Sequence, residues 1–408
     1  MKRIVITGVG MINALGSDSR SFDAIVQGKC GVDKITLCDT DELLTKIAAE
    51  VKAFDPTRVM KKREVKKADR FIQLGLFAAV EAFEDAGLED VDVSDFGVVS
   101  TNCMTGLGAI ESAAEQKCIS GLRHTSPFLV PSYLPNMLGG QISIRFKMSG
   151  PNLSSTSACA AGTHGIIEAY KTLQFGQCEG MMVVGAEAPI TPLSIAGYGA
   201  MNALSKRNDD PKRASRPYDR ARDGFVLGEG AGALVVETLE HAQRRGAKIY
   251  AEIIGFGESA DAHHITAPHP EGKGAKKALR LAWEMAGKPK IDYINSHGTS
   301  TPHNDIDEAK AIYETFGEMN PYVSSTKGQI GHCLGAAGVI EAVITLLAME
   351  HQTLPPVINY VSSEEEMVKI NLVKNKAIHT QVTTVLSCNF GFGGTNGAVI
   401  FRQVLIAV

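Results

Sequence analysis

No two of the eight cysteines stand at CxxC spacing and none falls into a metal-ligand pattern, so neither a disulfide framework nor a zinc site is expected. A reducing cytoplasm suits such a chain. Positive charge is not in excess either: 41 Lys and Arg stand against 45 Asp and Glu, a net charge of −4. That balance gives no global attraction to nucleic acid or to an anionic membrane. Long apolar runs are missing. The best candidate, residues 336–349, carries Glu341, whereas a membrane span needs about eighteen or more apolar residues with few or no charges. The opening MKRIVITGVGMINALG has two basic residues before an apolar stretch, but Gly8, Gly10 and Asn13 interrupt it and no small-residue cleavage site follows. It reads as a first strand and not as an export signal. Phosphate-loop signatures are absent too. The segment NFGFGGTNG (Asn389–Gly397) lacks the lysine of such a loop and the GxGxxG spacing, and GVG at Gly8–Gly10 lacks the next glycine. Nucleotide binding is not expected, and GVG reads as a strand-ending turn.

What is present is an ordinary globular composition, 44% hydrophobic and 21% charged over 408 residues. That length exceeds the roughly 250–300 residues at which one core stops growing, so two domains or one large multilayered unit are expected. Apolar runs at Arg3–Thr7, Phe96–Ser100, Met181–Gly185, Gly232–Glu237, Ile249–Gly257, Tyr293–Asn295 and Thr384–Ser387 read as strands. Helical spacing at Phe71–Ala86, Gly162–Leu173, Lys276–Ala286 and Gly338–Met349 alternates with them, which predicts an α/β fold with helices buried against parallel sheets. The stretch Lys206–Asp223 is the most polar in the chain and holds Pro211 and Pro217, so it reads as a loop or linker. A boundary near Ala242–Lys248 divides the chain into halves 1–243 and 244–408. No repeat is strong enough to prove duplication.

Three segments carry the chemistry: SACAAGTHG around Cys159, NSHGTSTP around His297 and STKGQIGHCLGAAG around His332. Cys159 follows a short polar run and precedes a helical pattern, which puts its sulfur at a helix N-terminus. Such a setting is expected to lower the thiol pKa from about 8.5 toward neutrality. His297 and His332 each follow a strand-like segment and lie beside Gly298 and Gly331, at the sheet edges where α/β folds bind ligands. Two imidazoles facing one thiol can donate hydrogen bonds to a thioester oxygen as it gains charge. In NFGFGGTNG the Phe392 N–H is a candidate oxyanion donor, with the Phe392 ring as a gate. Lys327, five residues before His332, is expected to act as a charge that orients the histidine site. Asp305 and Glu308 read as acids of the next helix's first turn. The other cysteines, and His124, His241, His351 and His379, read as structural. In KKREVKKADR, Arg63, Lys66, Lys67 and Arg70 fall at helical spacing on one face, a possible dock for an acidic carrier, with Lys206 and Arg207 as second contacts.

These segments, with VITGVGMINALG and ALSKRNDDPKRASRPYDRARDGFVLGEGAGALVVE in the same order, closely resemble the β-ketoacyl-acyl-carrier-protein synthases over nearly the whole chain. The long-chain elongating synthase II type looks nearest. The resemblance implies a thiolase-like fold, five αβαβα layers built from two similar α/β halves, working as a homodimer. It implies that Cys159 takes an acyl group from acyl carrier protein as a thioester, with the Cys159 and Phe392 amides as oxyanion hole. His297 and His332 then bind the malonyl thioester and stabilise the enolate left by decarboxylation, with Lys327 as the family's lysine. Arg63, Lys66 and Lys67 fall on its carrier-binding region. The substrate arrives on a phosphopantetheine arm, so no dissociable cofactor or catalytic metal is expected.

The chain departs from the family's pattern in three places. CMTG at Cys103–Gly106 replaces a common GIGG, so Met104, Thr105 and Phe390 are expected to line and reshape the acyl pocket. Ser157 stands where Thr is usual, and Cys388 and Asn389 replace Asn-Ser before the gate. Competing readings are a standalone ketosynthase of polyketide or other specialised synthesis and, disfavoured because Cys159 and both histidines are present, a non-catalytic partner subunit.

Overall fold

The computed structural model describes residues 1–404 apart from 53 and 368. Its strands fall into two sets with the same plan. The first comprises β1 (Ile4–Asn13), β2 (Gly97–Thr101), β3 (Asn152–Ser155), β4 (Gly180–Glu187) and β5 (Gly230–Thr238), in the spatial order β3-β2-β4-β5-β1. The second comprises β6 (Ala251–Ala260), β7 (Tyr293–Asn295), β8 (Tyr322–Ser324), β9 (Thr384–Gly391) and β10 (Thr395–Arg402), in the order β8-β7-β9-β10-β6. In both orders the first three strands run parallel and the last two joins are antiparallel, so the sheets are mixed and not the parallel sheets expected from the strand and helix alternation. A two-residue seam, Val5 with Glu252 and Ile6 with Ala251, joins β1 to β6. The chain crosses between the sets over residues 239–250.

Six long helices build the layers: α1 (Arg70–Asp85), α2 (Leu107–Ser120), α3 (Ala161–Gln174), α4 (Lys273–Met285), α5 (Pro302–Phe316) and α6 (Ala337–Glu350). α1 covers the outer face of the first set and α4 that of the second, with α5 packed on α4. α3 and α6 lie between the sheets and touch strands of both. Their sequences follow from that place. Ala337–Met349 is buried on every side of α6, so an amphipathic stripe has no use there.

The structure corrects two further sequence expectations and exposes a repeat. GVG at Gly8–Gly10 does not end a strand, because β1 runs straight through it. The glycines are there because α1 crosses on top: a Cβ on Gly8 would lie 2.4 Å from the Ala82 carbonyl oxygen, and one on Gly10 would lie 2.2 Å from that of Ala78. In the second set Gly255 and Gly257 meet Ala282 and Ala278 of α4 in the same way, at 2.4 and 2.0 Å. Duplication is therefore written in the Gly-x-Gly of a strand and the Ala spacing of its covering helix. The second correction concerns Lys206–Asp223. It contains only the short 3-10 turn Pro211–Arg213, as a loop should, but it is no solvated linker. Ser215, Tyr218, Asp219 and Arg222 are buried, and Arg216 pairs with Asp219 at 2.8 Å while Arg222 pairs with Glu364 at 2.9 Å. These three buried charges are paired inside the protein, while Lys206, Asp209, Asp210, Lys212, Arg213 and Arg220 of the same stretch stay exposed.

Candidate active site

The crossing of α3 and α6 decides where the site lies. Their first turns meet glycine to glycine: a Cβ on Gly162 would fall 2.6 Å from the Val339 amide nitrogen, and one on Gly338 would fall 2.4 Å from that of Thr163. Each helix is preceded by a 3-10 turn, Ala158–Ala160 and Leu334–Ala336. This contact brings the Cys159 turn beside the chain that carries His332. Ala158 holds φ +50, a left-handed conformation that a residue with a Cβ adopts at a cost. The hairpin turn Phe392–Gly394 between β9 and β10 closes over the same spot. Gly391 approaches so closely that a Cβ there would lie 3.0 Å from the Ser157 carbonyl oxygen.

Cys159, His297, His332, Phe390 and Phe392 line one cavity of about 260 Å³. The imidazole centroids of His297 and His332 are 5.3 Å apart with planes at 83°. The amides of Phe392 and of Cys159 itself pull the thiol pKa down, the influence expected of donors suited to an oxyanion. One sequence expectation changes here. Burial pushes the Cys159 thiol up to about 12, against the Lys327 charge and the Phe392 amide, which pull it down. A helix N-terminus lowers a thiol pKa only where water or charge offsets desolvation, and this residue is buried. Phe390 stands against His297 with ring centroids 5.8 Å apart. It lines the same cavity as Cys159, and the apolar cluster around the sulfur is made by Ile190, Ile195, Leu204, Phe225 and Leu334, with Met104 and Tyr198 at its edge. Tyr198 Oη lies 3.6 Å from Met104 Sδ, and Thr105 takes φ +51 in the loop that carries Met104.

A protonated resting thiol has a measurable consequence. Alkylation of Cys159 by iodoacetamide is expected to rise about tenfold per pH unit from 7 to 9, because the thiolate fraction does so well below a pKa. Mass spectrometry of the Cys159 peptide against pH would show it, and a rate already level near neutrality would contradict it.

Both histidines are neutral donors. Burial, then the Lys327 charge, holds each well below its ordinary value, and His332 adds to the effect on His297. Their main chains are pinned. The His297 and Gly298 amides donate to Glu308 Oε1 and Oε2, each at 2.7 Å. His332 N–H donates to the Val226 carbonyl at 2.8 Å, and its own carbonyl accepts from Gly228 N–H at 3.0 Å. Glu308 and Asp305 thus turn from α5 back onto the histidine loop, a structural role played through main-chain amides: Asp305, in the helix's first turn, accepts from the Tyr218 amide at 2.8 Å and the Ser300 amide at 3.2 Å. Burial pushes Glu308 up to about 7, against the Gly298 amide. Tyr218 Oη sits 2.8 Å from Glu308 Oε2 and 2.7 Å from Ser296 Oγ.

Lys327 bears on both histidines through its charge. Its ammonium, 1% exposed, is ion-paired with Glu341, equally buried in α6. Glu341 accepts in turn from Asn389 Nδ2 at 2.7 Å, and that nitrogen lies 3.3 Å from His297 Nδ1. Sequence offered a signal for Glu341, one acid within an otherwise apolar helix. It offered none for the link to His297.

The basic residues behave unevenly. Arg63, Lys66 and Lys67 are exposed, and Lys67 Nζ lies 4.3 Å from the Phe128 ring centroid. The one continuous helical face does not exist: the helix Lys62–Val65 ends before α1 begins at Arg70. Arg70 turns inward to Glu229 at 2.7 Å and to the Val51 carbonyl at 2.9 Å. Lys206 is exposed and bonds Asn202, a residue of the cavity lining, at 2.9 Å. Arg207 is held by the Ala221 carbonyl at 2.5 Å and lies 3.6 Å from Asp223. Among the described residues no helix is long and apolar enough to cross a membrane, and no group of three His, Cys, Asp or Glu could hold a metal ion.

A buried thiol that shares one cavity with two neutral imidazoles in a thiolase-like fold defines a condensing enzyme of the acyltransferase class. Known proteins agree. Residues 1–242 match the beta-ketoacyl synthase N-terminal domain and residues 250–361 its C-terminal domain; the chain belongs to the β-ketoacyl synthase family. It is 44% identical to a 3-oxoacyl-[acyl-carrier-protein] synthase 2 of Coxiella burnetii, with 99% of each chain covered, and 44% identical to one of Staphylococcus aureus, with 98% of each covered. Among solved structures, a beta-ketoacyl synthase from Burkholderia phymatum superposes with a TM-score of 0.93 at 33% identity, covering 99% of this chain and 100% of that one. A ketosynthase in complex with a type II polyketide acyl-carrier protein superposes at 0.90 with 28% identity, covering 99% and 100%.

Proposed function

We propose that this chain is a 3-oxoacyl-acyl-carrier-protein synthase that lengthens fatty acyl chains by two carbons. Cys159 attacks an acyl thioester and the developing oxyanion takes the Cys159 and Phe392 amides. The thiol's proton leaves with the departing pantetheine sulfur, so no standing thiolate is needed. A malonyl thioester then enters, and its carbonyl oxygen accepts from His297 and His332. Loss of carbon dioxide leaves an enolate whose carbon attacks the acyl-Cys159 thioester, and the Cys159 sulfur regains a proton as the 3-oxoacyl thioester departs. Neutral imidazoles suit this step, since donors are wanted and proton transfer to the enolate carbon is not. The reaction as written uses no metal and no redox cofactor.

The single observation that carries this reading is the meeting of Cys159, His297 and His332 in one cavity. Primary fatty-acid synthesis is favoured over a specialised pathway by identity of 42–44% along the full length of synthase 2 relatives, above the 28% to the type II polyketide ketosynthase. The partner is acyl carrier protein. Its acidic surface is met by Arg63, Lys66 and Lys67, and by Lys206 near the cavity rim. A homodimer is supported by the open edge of β3, where Leu153 is exposed, and by the bare side chains of Leu193 and Ile144; unpaired strand edges with apolar neighbours call for a partner strand. Eight unpaired thiols fit the reducing cytoplasm.

Offering the purified protein a mixture of acyl carriers, then weighing the Cys159 peptide, tests chemistry and specificity together. A fatty acyl adduct on Cys159 is expected, with its length limited by the Met104 and Tyr198 contact. An adduct on another residue, or none, would overturn the proposal.

A further inference from the structure

Asn389 stands where the resembling family usually has Ser, directly before the gate segment. It is fully buried, and each end of its amide has a partner. Oδ1 accepts from Thr163 Oγ1 at 2.6 Å. Nδ2 lies 2.7 Å from Glu341 Oε2 and 3.3 Å from His297 Nδ1. Chemistry fixes which end is which. Glu341 is ion-paired with Lys327, so its carboxylate can only accept, and the Asn389 atom facing it must be the NH₂. The second N–H of that group points at His297 Nδ1, which can accept it only while unprotonated. In a neutral ring the proton then sits on Nε2, the nitrogen left for the cavity that His297 lines.

We propose that Asn389 is a positioning residue that locks His297 in its Nε2–H tautomer, so that this imidazole always presents a donor to the thioester oxygen. The inference rests on the functional reading above for its consequence, though not for the tautomer itself. His332 is the internal contrast, for its Nδ1 has no hydrogen-bond partner among the described residues. A chain therefore runs from Lys327 through Glu341 and Asn389 to His297, and charge at one end sets proton placement at the other. Second partners of catalytic imidazoles act in this way wherever a tautomer matters.

The test reads the tautomer directly. Protein with ¹⁵N-labelled histidine, with His297 assigned by its absence in a His297→Gln variant, is expected to show a protonated Nε2 and an unprotonated Nδ1. Asn389→Asp places an acceptor beside Nδ1 and should move the proton there, turning a lone pair toward the thioester oxygen. Malonyl decarboxylation should then fall roughly 10²–10³-fold, as when an oxyanion donor is lost, with a smaller loss in acylation of Cys159. Asn389→Leu, which keeps the volume and removes the donor, should give a mixture of tautomers and an intermediate rate. A native spectrum with the proton on Nδ1 overturns the proposal, as does an Asn389→Asp variant that decarboxylates within twofold of native. If neither variant folds, the native spectrum decides alone. A native protein that never acylates Cys159 sinks the functional reading instead and leaves the spectrum to judge the tautomer.

Discussion

Replacing Cys159 with Ala is expected to lower condensation by at least about 10⁴-fold, on the scale seen when a covalent nucleophile is removed. The side chain is small and lies in a turn fixed by main-chain contacts, so the cavity and the carrier surface should survive. Carrier binding should be unchanged, which separates chemistry from docking. His297→Ala makes the complementary case. The enolate arises only after the acyl group is in place, so malonyl decarboxylation should drop roughly 10²–10³-fold, while transfer of an acyl group to Cys159 changes less. Rates of the two half-reactions, measured with labelled acyl and malonyl carriers, check both statements. Undiminished condensation by the Cys159→Ala protein would remove the sulfur from the mechanism, and equal losses in both steps for His297→Ala would remove the enolate role.

Lys327→Ala should be the most destabilising single change at the site. Lys327 and Glu341 are each 1% exposed, and removing one member of a buried pair strands the other charge, at about 3–5 kcal/mol. The double variant Lys327→Met with Glu341→Leu fills the space with apolar atoms and should recover most of that stability, since a buried pair is often no better than a well-packed apolar one. Activity should not return with it, because Asn389 then loses the carboxylate that orients it. Urea unfolding of the three proteins beside their condensation rates reads both effects. A single variant within about 1 kcal/mol of native would show that the ammonium is not sealed from water, and a double variant with native activity would show that the pair serves the fold alone.

The reactive residues were legible because their neighbours are unusual. Glycine, alanine and short hydroxyl side chains crowd Cys159, His297 and His332, and such stretches make poor core but good walls for a reacting group. Strand and helix cores were legible from periodicity, and the α/β alternation followed. Thiol ionisation was not legible. It turns on the contest between a helix terminus and desolvation, and only packing sets the second. Nor could the basic run KKREVKKADR reveal that Arg70 faces Glu229, since spacing fixes a face only while one helix continues.

By itself, the amino-acid order determined which side chains would react, which segments would be strands or buried helices, and which family the chain resembles. These properties are local, carried by residue type and by spacing along the chain. Only the tertiary structure decided that Glu308 would hold the His297 loop, that Lys327 would act through Glu341 and Asn389, and that the Cys159 sulfur would rest protonated. Each of these depends on atoms far apart in sequence being pressed together where water is excluded, as when two helices cross at Gly162 and Gly338, and burial of that kind is a property of the packed whole.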